Sequence, residues 1–301
     1  MSDPAPKPAF NLSHWLQDKA ARAAIGLMLA LPYGPRVRLG GWVMAHLVAP
    51  LAGWPRRIRR NLALALPDLP KAEVARLVRA VPDNVGRTLI EIYSGPEFVT
   101  RAAARPLTGP GVAALEAARR DGRPVIIVTG HFGNYVAARA GLIARGYPVG
   151  GLYKPMKNGY FDAHYVRAIR RIGEPLFPRG REGLADMVRH LRGGGFLGMV
   201  IDQHMKHGAR LAFFGHPANT ALSAAELALR YQALLVPIYA RRLPDGLDFE
   251  IIVEEPIPAA SPEAMTQALN DSLEILVRQY PEQWFWIHRR WKALFPKRKR
   301  G

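Results

Sequence analysis

The sequence predicts an α/β fold, a largely parallel central sheet flanked by helices, with more helix before it and a helical segment after it. Three observations lead there. From about residue 105, short apolar runs bounded by glycine, proline or charge alternate with stretches of helical spacing, the pattern of strands joined by crossover helices. Before residue 100 the chain reads as helical, with helix-spaced apolar residues clearest in residues 71–93. The chain has 301 residues, 49% of them hydrophobic, enough for a sizeable core.

Residues 11 to about 100 read as helices. Ala23 to Pro35 and Leu39 to Trp54 are uncharged. Each falls short of the ~20 apolar residues that cross a bilayer, and Pro32, Pro35 and Pro50 interrupt them. Arg36, Arg38, Arg56, Arg57, Arg59 and Arg60 flank these runs, with Trp42 and Trp54 within or beside them. Apolar helices edged by arginine and tryptophan mark a segment lying in a membrane interface. The alternative is a helical hairpin packed on the rest of the chain. In "KAEVARLVRAVPDNVGRTLIEIY", Val74, Leu77, Val78 and Val81, then Val85, Leu89 and Ile92, share a helical face, with a break expected near Pro82.

Five strands are expected, at residues 123–130, 146–153, 194–202, 233–242 and 247–257. Between them, "EGLADMVRHLRGG" places Leu184, Met187, Val188 and Leu191 on one helical face. "SAAELALRYQA" opens with Ser223 and has Glu226 three residues on, the pattern of a capping box. From about 261 a helix leads into "PEQWFWIHRRWKALFPKRKRG", where Trp284, Trp286 and Trp291 alternate with Arg289, Arg290 and Lys292. The final PKRKR reads as a disordered basic tail that binds anionic lipid or nucleic acid, or is simply solvated. The chain thus divides into a helical, membrane-associating region (1–104), an α/β domain (105–260), and a C-terminal helix with a basic tail (261–301).

The absence of cysteine excludes disulfides, thiol catalysis and cysteine-based zinc sites. The opening "MSDPAPKPAF" lacks the parts of a signal peptide. A formal charge of +18 attracts polyanions, whether nucleic acid, anionic lipid or an acidic carrier protein.

Parallel sheets hold ligands at the carboxyl ends of their strands. His131 follows one expected strand, in "TGHFGNYV", and Asp202 ends another. With Gly133 as the N-cap of the next helix, the nearby N–H groups disfavour an imidazolium and leave His131 ready to accept a proton. Position 136 is then the third helical position, from which an acid reaches back to orient the ring. It holds valine, which does neither.

The motif HFGNYV is similar to the His-x4-Asp/Glu motif, often HFGNWE, of the bacterial lipid A biosynthesis acyltransferases of the lauroyl type and of relatives that acylate mannosylated phosphoinositides. His131, Phe132, Gly133 and Asn134 match, Tyr135 stands for tryptophan, and Val136 replaces the acid. The resemblance extends through "RRNLALALPDL", "GRTLIEIY", "YKPMKN", "DQ", "FFGHPANT", "LVPIYARRLPDG" and "PEQWFWIHRRWK" in order, and so covers most of the chain.

It implies a glycerolipid acyltransferase-like fold at the cytoplasmic face of a bacterial inner membrane. It also implies acyl transfer without a metal or other cofactor. The donor is an acyl thioester of acyl-carrier protein or coenzyme A, and the acceptor a hydroxyl or amine of a membrane lipid. The partners implied are the carrier protein, the acceptor lipid and the anionic membrane surface. Together these account for the basic charge without nucleic acid.

Val136 leaves three readings open: Asp202 orients His131 in place of the motif acid, His131 works alone, or the chain binds lipid or a partner without turnover. Asp202 equally suits a strand-end turn. The substrate-binding candidates are Asn134 from the motif; Tyr153, Lys154, Lys157 and Asn158 in "YKPMKN"; Arg179 and Arg181 before a helix start; and Phe213 and Phe214, which the resemblance implies as pocket walls. The basic residues suit a phosphate, or are ordinary solvated side chains. The two phenylalanines suit a core equally well. His204 and His207, three apart, are too few for a metal site.

Overall fold

The computed structural model describes residues 10–295, apart from the side chains of residues 181 and 182. The basic tail expected after Phe295 lies outside the described residues.

Helices come first, as expected: α1 (Leu12–Leu29), α2 (Tyr33–Val43), a π-helical turn (Met44–Val48), α3 (Ala49–Leu51), α4 (Trp54–Ala65), α5 (Lys71–Tyr93) and α6 (Pro96–Ala102). The break expected at Pro82 is absent, and α5 runs through it. Its packing on α2 outweighs the hydrogen bond lost at the proline, since tertiary contacts supply most helix stability. The two backbones nearly touch: a Cβ on Gly86 would lie 2.2 Å from the carbonyl oxygen of Gly40.

The sheet follows, in the order β1 (Leu107–Thr108), β9 (Phe249–Val253), β8 (Leu234–Arg242), β2 (Val125–Thr129), β5 (Phe196–Val200), β3 (Val149–Tyr153), β4 (Leu176–Pro178). Strands β8, β2, β5, β3 and β4 run parallel. The β9–β1 pair runs against them. Helices α7 (Val112–Arg120), α8 (Tyr135–Ala144), α9 (Gly159–Ile172), α10 (Arg181–Arg192) and α11 (Ser223–Arg230) lie between strands, and α12 (Pro262–Gln279) follows the last strand, with short 3-10 turns at Pro281–Gln283 and Lys292–Leu294 after it. A hairpin, β6 (Ala209–Phe213) and β7 (His216–Thr220), stands apart from the sheet. The expected capping box is not formed: α11 starts at Ser223 itself, with Leu222 as the N-cap, so the serine stands one position too late to cap.

Central strand β2 is buried on both faces, which explains its unbroken apolar run. Val125 and Ile127 share a core with Val136 of α8 and with Ile25, Val37 and Ile90 of the N-terminal helices. Ile126 and Val128 pack on the opposite side with Leu197, Met187 and Leu269. A third core joins α4 and α5 to the C-terminal tryptophans through Leu62, Leu77, Trp284, Trp286 and Trp291. The N-terminal helices therefore pack directly against the sheet layers. Their outer side leaves Leu27, Trp42, Leu47 and Leu51 exposed, Leu51 at 91%. No described helix is long and apolar enough to cross a membrane.

The turn after β2 sits tightly against β8. Gly133 has φ +55°, and a Cβ there would lie 1.9 Å from the carbonyl oxygen of Ala240. Both the left-handed backbone and the contact demand glycine. Gly133→Ala is expected to destabilise the protein by at least about 2 kcal/mol, from strain and overpacking combined; urea unfolding checks this.

Candidate active site

The turn that carries His131 is held from four sides. The His131 N–H donates to Asp202 Oδ2 at 2.8 Å. The Gly133 N–H donates to the Gln283 carbonyl at 2.9 Å, and the Phe285 N–H to the His131 carbonyl at 3.0 Å, so the C-terminal segment pairs with the turn around Phe132 and Trp284. The Asn134 N–H donates to the Ala240 carbonyl at 3.1 Å. From α5, Asn84 Nδ2 donates to the Gly133 carbonyl at 2.9 Å.

His131 and Asp202 meet as a dyad. The two residues end neighbouring parallel strands, β2 and β5, and His131 Nδ1 lies 2.7 Å from Asp202 Oδ1. Asp202 is fully buried, and its Oδ2 also accepts from Trp284 Nε1 at 2.9 Å. Burial alone would push this carboxyl up. The attraction of His131, the hydrogen bonds from its ring and backbone N–H, and nearby His288 outweigh burial and hold the carboxyl well below its ordinary value. An ionised Asp202 accepts the Nδ1 proton, which leaves Nε2 of His131 with the free lone pair.

Val136 lies in the apolar core beside β2. The helix begins one residue later than expected: Asn134, not Gly133, is the N-cap, and its Oδ1 accepts from the Val136 and Ala137 N–H groups. Position 136 is the second helical residue. The acid that approaches the ring comes from β5.

His131 opens onto a cavity of about 210 Å³, lined on one side by Val85, Thr88, Leu89 and Ile92 of α5, and elsewhere by Tyr135, Tyr165, Phe285 and His288. Its walls are largely apolar. His288 was not among the candidates from sequence, where it was one letter in a tryptophan- and arginine-rich run. Burial first, then the charges of His131, Arg290 and Arg57, push its imidazole down to about 3 against the pull of Asp202, so it stays neutral near pH 7. Among the described residues, His131, Asp202 and His288 also form a group close enough to share a metal ion, with ligand atoms within 4.8 Å of one another. Asp202 already accepts three hydrogen bonds, and His131 Nδ1 faces one of its oxygens. His204 and His207 do not belong to that group.

The other candidates scatter. Asn134 is fully buried, with Oδ1 capping α8 and Nδ2 donating to Glu91 Oε2 at 2.7 Å. It has no free polar atom for a substrate, and it positions the turn instead. Glu91 in turn binds Arg242, so the turn rests on a buried ion pair. Phe213 and Phe214 are buried against Trp284, Trp286 and Trp291; they back the cavity wall and do not line it. Asn158 caps α9 through Oδ1 and donates to the His14 carbonyl at 2.8 Å, which ties α9 to α1. Tyr153 is half-buried and ends β3, and Lys154, Lys157 and Arg179 are exposed and follow β3 and β4, at the strand ends that carry the dyad. Arg181 opens α10, and its side chain lies outside the described residues.

Residues 10–293 match the family model described as bacterial lipid A biosynthesis acyltransferase. The chain belongs to that family. It is therefore an acyltransferase by descent. It is 26% identical over 277 residues to the lipid A biosynthesis lauroyltransferase of Escherichia coli K12, covering 89% of this chain and 88% of that one. It is 24% identical over 247 residues to the phosphatidylinositol mannoside acyltransferase of Mycobacterium tuberculosis (strain CDC 1551 / Oshkosh), covering 80% and 78%. The lipid A biosynthesis myristoyltransferase of E. coli K12 is 25% identical over 244 residues, 77% of this chain and 73% of that protein.

Asp202→Asn is expected to lower acyl transfer by roughly 10²–10⁴-fold, as when a triad histidine loses its acid. It also carries a pH signature. The folded carboxyl is depressed below its ordinary 3.8. Its stabilisation is therefore present above about pH 4 and lost as the pH falls toward the folded value. The stability gap between wild type and Asp202→Asn should widen as the pH rises to about 4 and stay flat above it, as read by urea unfolding.

Proposed function

We propose that this acyltransferase moves a fatty acyl group from a thioester of acyl-carrier protein or coenzyme A to a hydroxyl or amine of a lipid A precursor, or of another glycolipid, lysolipid or aminolipid. The observation that carries this reading is the His131–Asp202 dyad at the mouth of a largely apolar cavity, in a chain of this family. The acceptor hydroxyl gives its proton to His131 Nε2 as its oxygen bonds to the thioester carbon. The C=O electron pair moves onto the carbonyl oxygen. That oxyanion then collapses, the C–S bond breaks, and the thiolate takes the proton back from His131. Asp202 holds the ring in the productive tautomer and balances the charge of the imidazolium.

The exposed apolar side of α1 to α4 suits a monotopic seat on the membrane, at the cytoplasmic face of the bacterial inner membrane. Leu27, Leu47 and Leu51 are exposed together with Trp42, and Arg56, Arg59 and Arg60 lie exposed on the adjoining α4. Such a surface combines apolar burial with attraction to anionic lipid. Lys154, Lys157 and Arg179 give the sheet edge a basic rim suited to a phosphate of the acceptor or donor. A lipid surface and an acidic carrier use the +18 charge, and no nucleic acid enters this reading. A silent, purely binding role is the weaker reading, because a buried carboxylate already stands on His131 Nδ1.

The test is transfer from radiolabelled acyl thioesters of both carriers to total membrane lipids of the source bacterium. Wild type should label a lipid, and His131→Ala should lose at least about 10³-fold of that rate. Wild type and His131→Ala alike in labelling nothing would refute catalysis.

A further inference from the structure

The transfer proposed above needs a donor for the oxyanion, and three backbone N–H groups of the turn at His131 are already engaged. The N–H of His131 goes to Asp202, that of Gly133 to Gln283 and that of Asn134 to Ala240. The N–H groups of Phe285, Trp286 and His288 are likewise bonded within the fold. Trp284 Nε1 serves Asp202, Gln283 Nε2 serves the Arg242 carbonyl, and Asn84 Nδ2 serves Gly133. His131 itself gives Nδ1–H to Asp202 and needs Nε2 as the base.

The Tyr135 and Tyr165 hydroxyls, which also line the cavity, bond each other; one cavity-lining imidazole remains. His288 Nε2 is buried and has no hydrogen-bond partner among the described residues. The ring stands edge-to-face with His131, centroids 4.6 Å apart. We propose that His288 is a second catalytic residue, its ring N–H donating to the carbonyl oxygen that becomes negative when the acceptor attacks the thioester. This inference rests on the acyl-transfer reading above.

The surroundings fit that task. From α4, Asn61 Nδ2 donates to the carbonyls of Trp286 and His288 at 2.7 and 2.8 Å, and Arg57 Nη1 donates to the Ile287 carbonyl at 3.2 Å. Three successive carbonyls are thus fixed by one helix, and Phe285 packs against the His288 ring at 4.4 Å. Pre-set donors of this kind stabilise a transition state because they need no rearrangement when charge appears. The groups facing His288 are His131, Asp202, Arg290 and Arg57. Burial and the positive ones among them keep the imidazole neutral, so it donates from one nitrogen without competing for the acceptor proton. Asp202 does not need His288 as a donor, since it already accepts three hydrogen bonds.

The test compares wild type, His131→Ala, His288→Leu, His288→Gln and His288→Asn in the same transfer assay, with circular dichroism and thermal midpoints as folding controls. His288→Leu should lower kcat by about 10²–10³-fold with KM within about threefold. Gln, whose amide reaches the place of Nε2, should recover at least about tenfold of that loss, and Asn, whose amide reaches only the place of Nδ1, should not. Should the leucine variant fail to fold, the Gln-over-Asn difference in kcat decides alone. A leucine variant within about threefold of wild-type kcat, a defect confined to KM, or equal rates for Gln and Asn would overturn the proposal while leaving the His131 reading intact. A wild type that transfers nothing would overturn both.

Discussion

One buried carboxylate organises this molecule. Asp202 sits at the end of β5 with no solvent contact, and an anion there must be surrounded by donors. It finds three: the backbone N–H and ring of His131 from the end of β2, and the indole of Trp284 from the C-terminal segment. Those bonds join two central strands to a chain segment more than 80 residues further on. The same bonds orient the imidazole. Structural need and catalytic geometry are met by one interaction, so the site cannot loosen without exposing an unpaired charge in the core.

The second tie is the Glu91–Arg242 pair, buried between α5 and β8. Through Asn134 it supports the turn after β2, and through Gln283 it reaches the segment that covers His131. The cavity lies between these ties, with apolar residues of α5 along one side. Such an apolar wall beside a polar dyad suits a hydrophobic chain, while the opposite side of the N-terminal helices stays apolar and exposed. Substrate and enzyme share the same solvent preference, which suits chemistry at a lipid surface.

Much of this was legible in the sequence. The unbroken run of β2, the periodicity of α5 and the alternation after residue 105 follow from burial and period alone. Asp202 was placed as a partner for His131 by a rule of parallel sheets, that side chains after neighbouring strands converge. Other features were not legible, for physical reasons. Two-residue β1 and three-residue β4 are too short to show a period. Asn134, Asn158 and Phe213 have types that suit either a ligand or the interior, and only their neighbours decide between cap, core and contact. His288 carried no local signal, because its isolation at the cavity is created by residues from α4, β2 and β5. Ser223 matched a cap pattern, but the helix starts on it.

The central claim is that Asp202, arriving from β5, does for His131 what the valine at 136 cannot. The most direct measurement is the tautomer of His131, read by NMR of protein labelled with ¹⁵N-histidine, at a pH where the ring is neutral, and assigned by its loss in His131→Gln. The account predicts a proton on Nδ1, shifted downfield by a strong hydrogen bond, with Nε2 bare. In Asp202→Asn that bonded proton signal should disappear or move strongly upfield. A proton on Nε2 in the wild type, or an Nδ1 signal that ignores the Asp202 substitution, would contradict it.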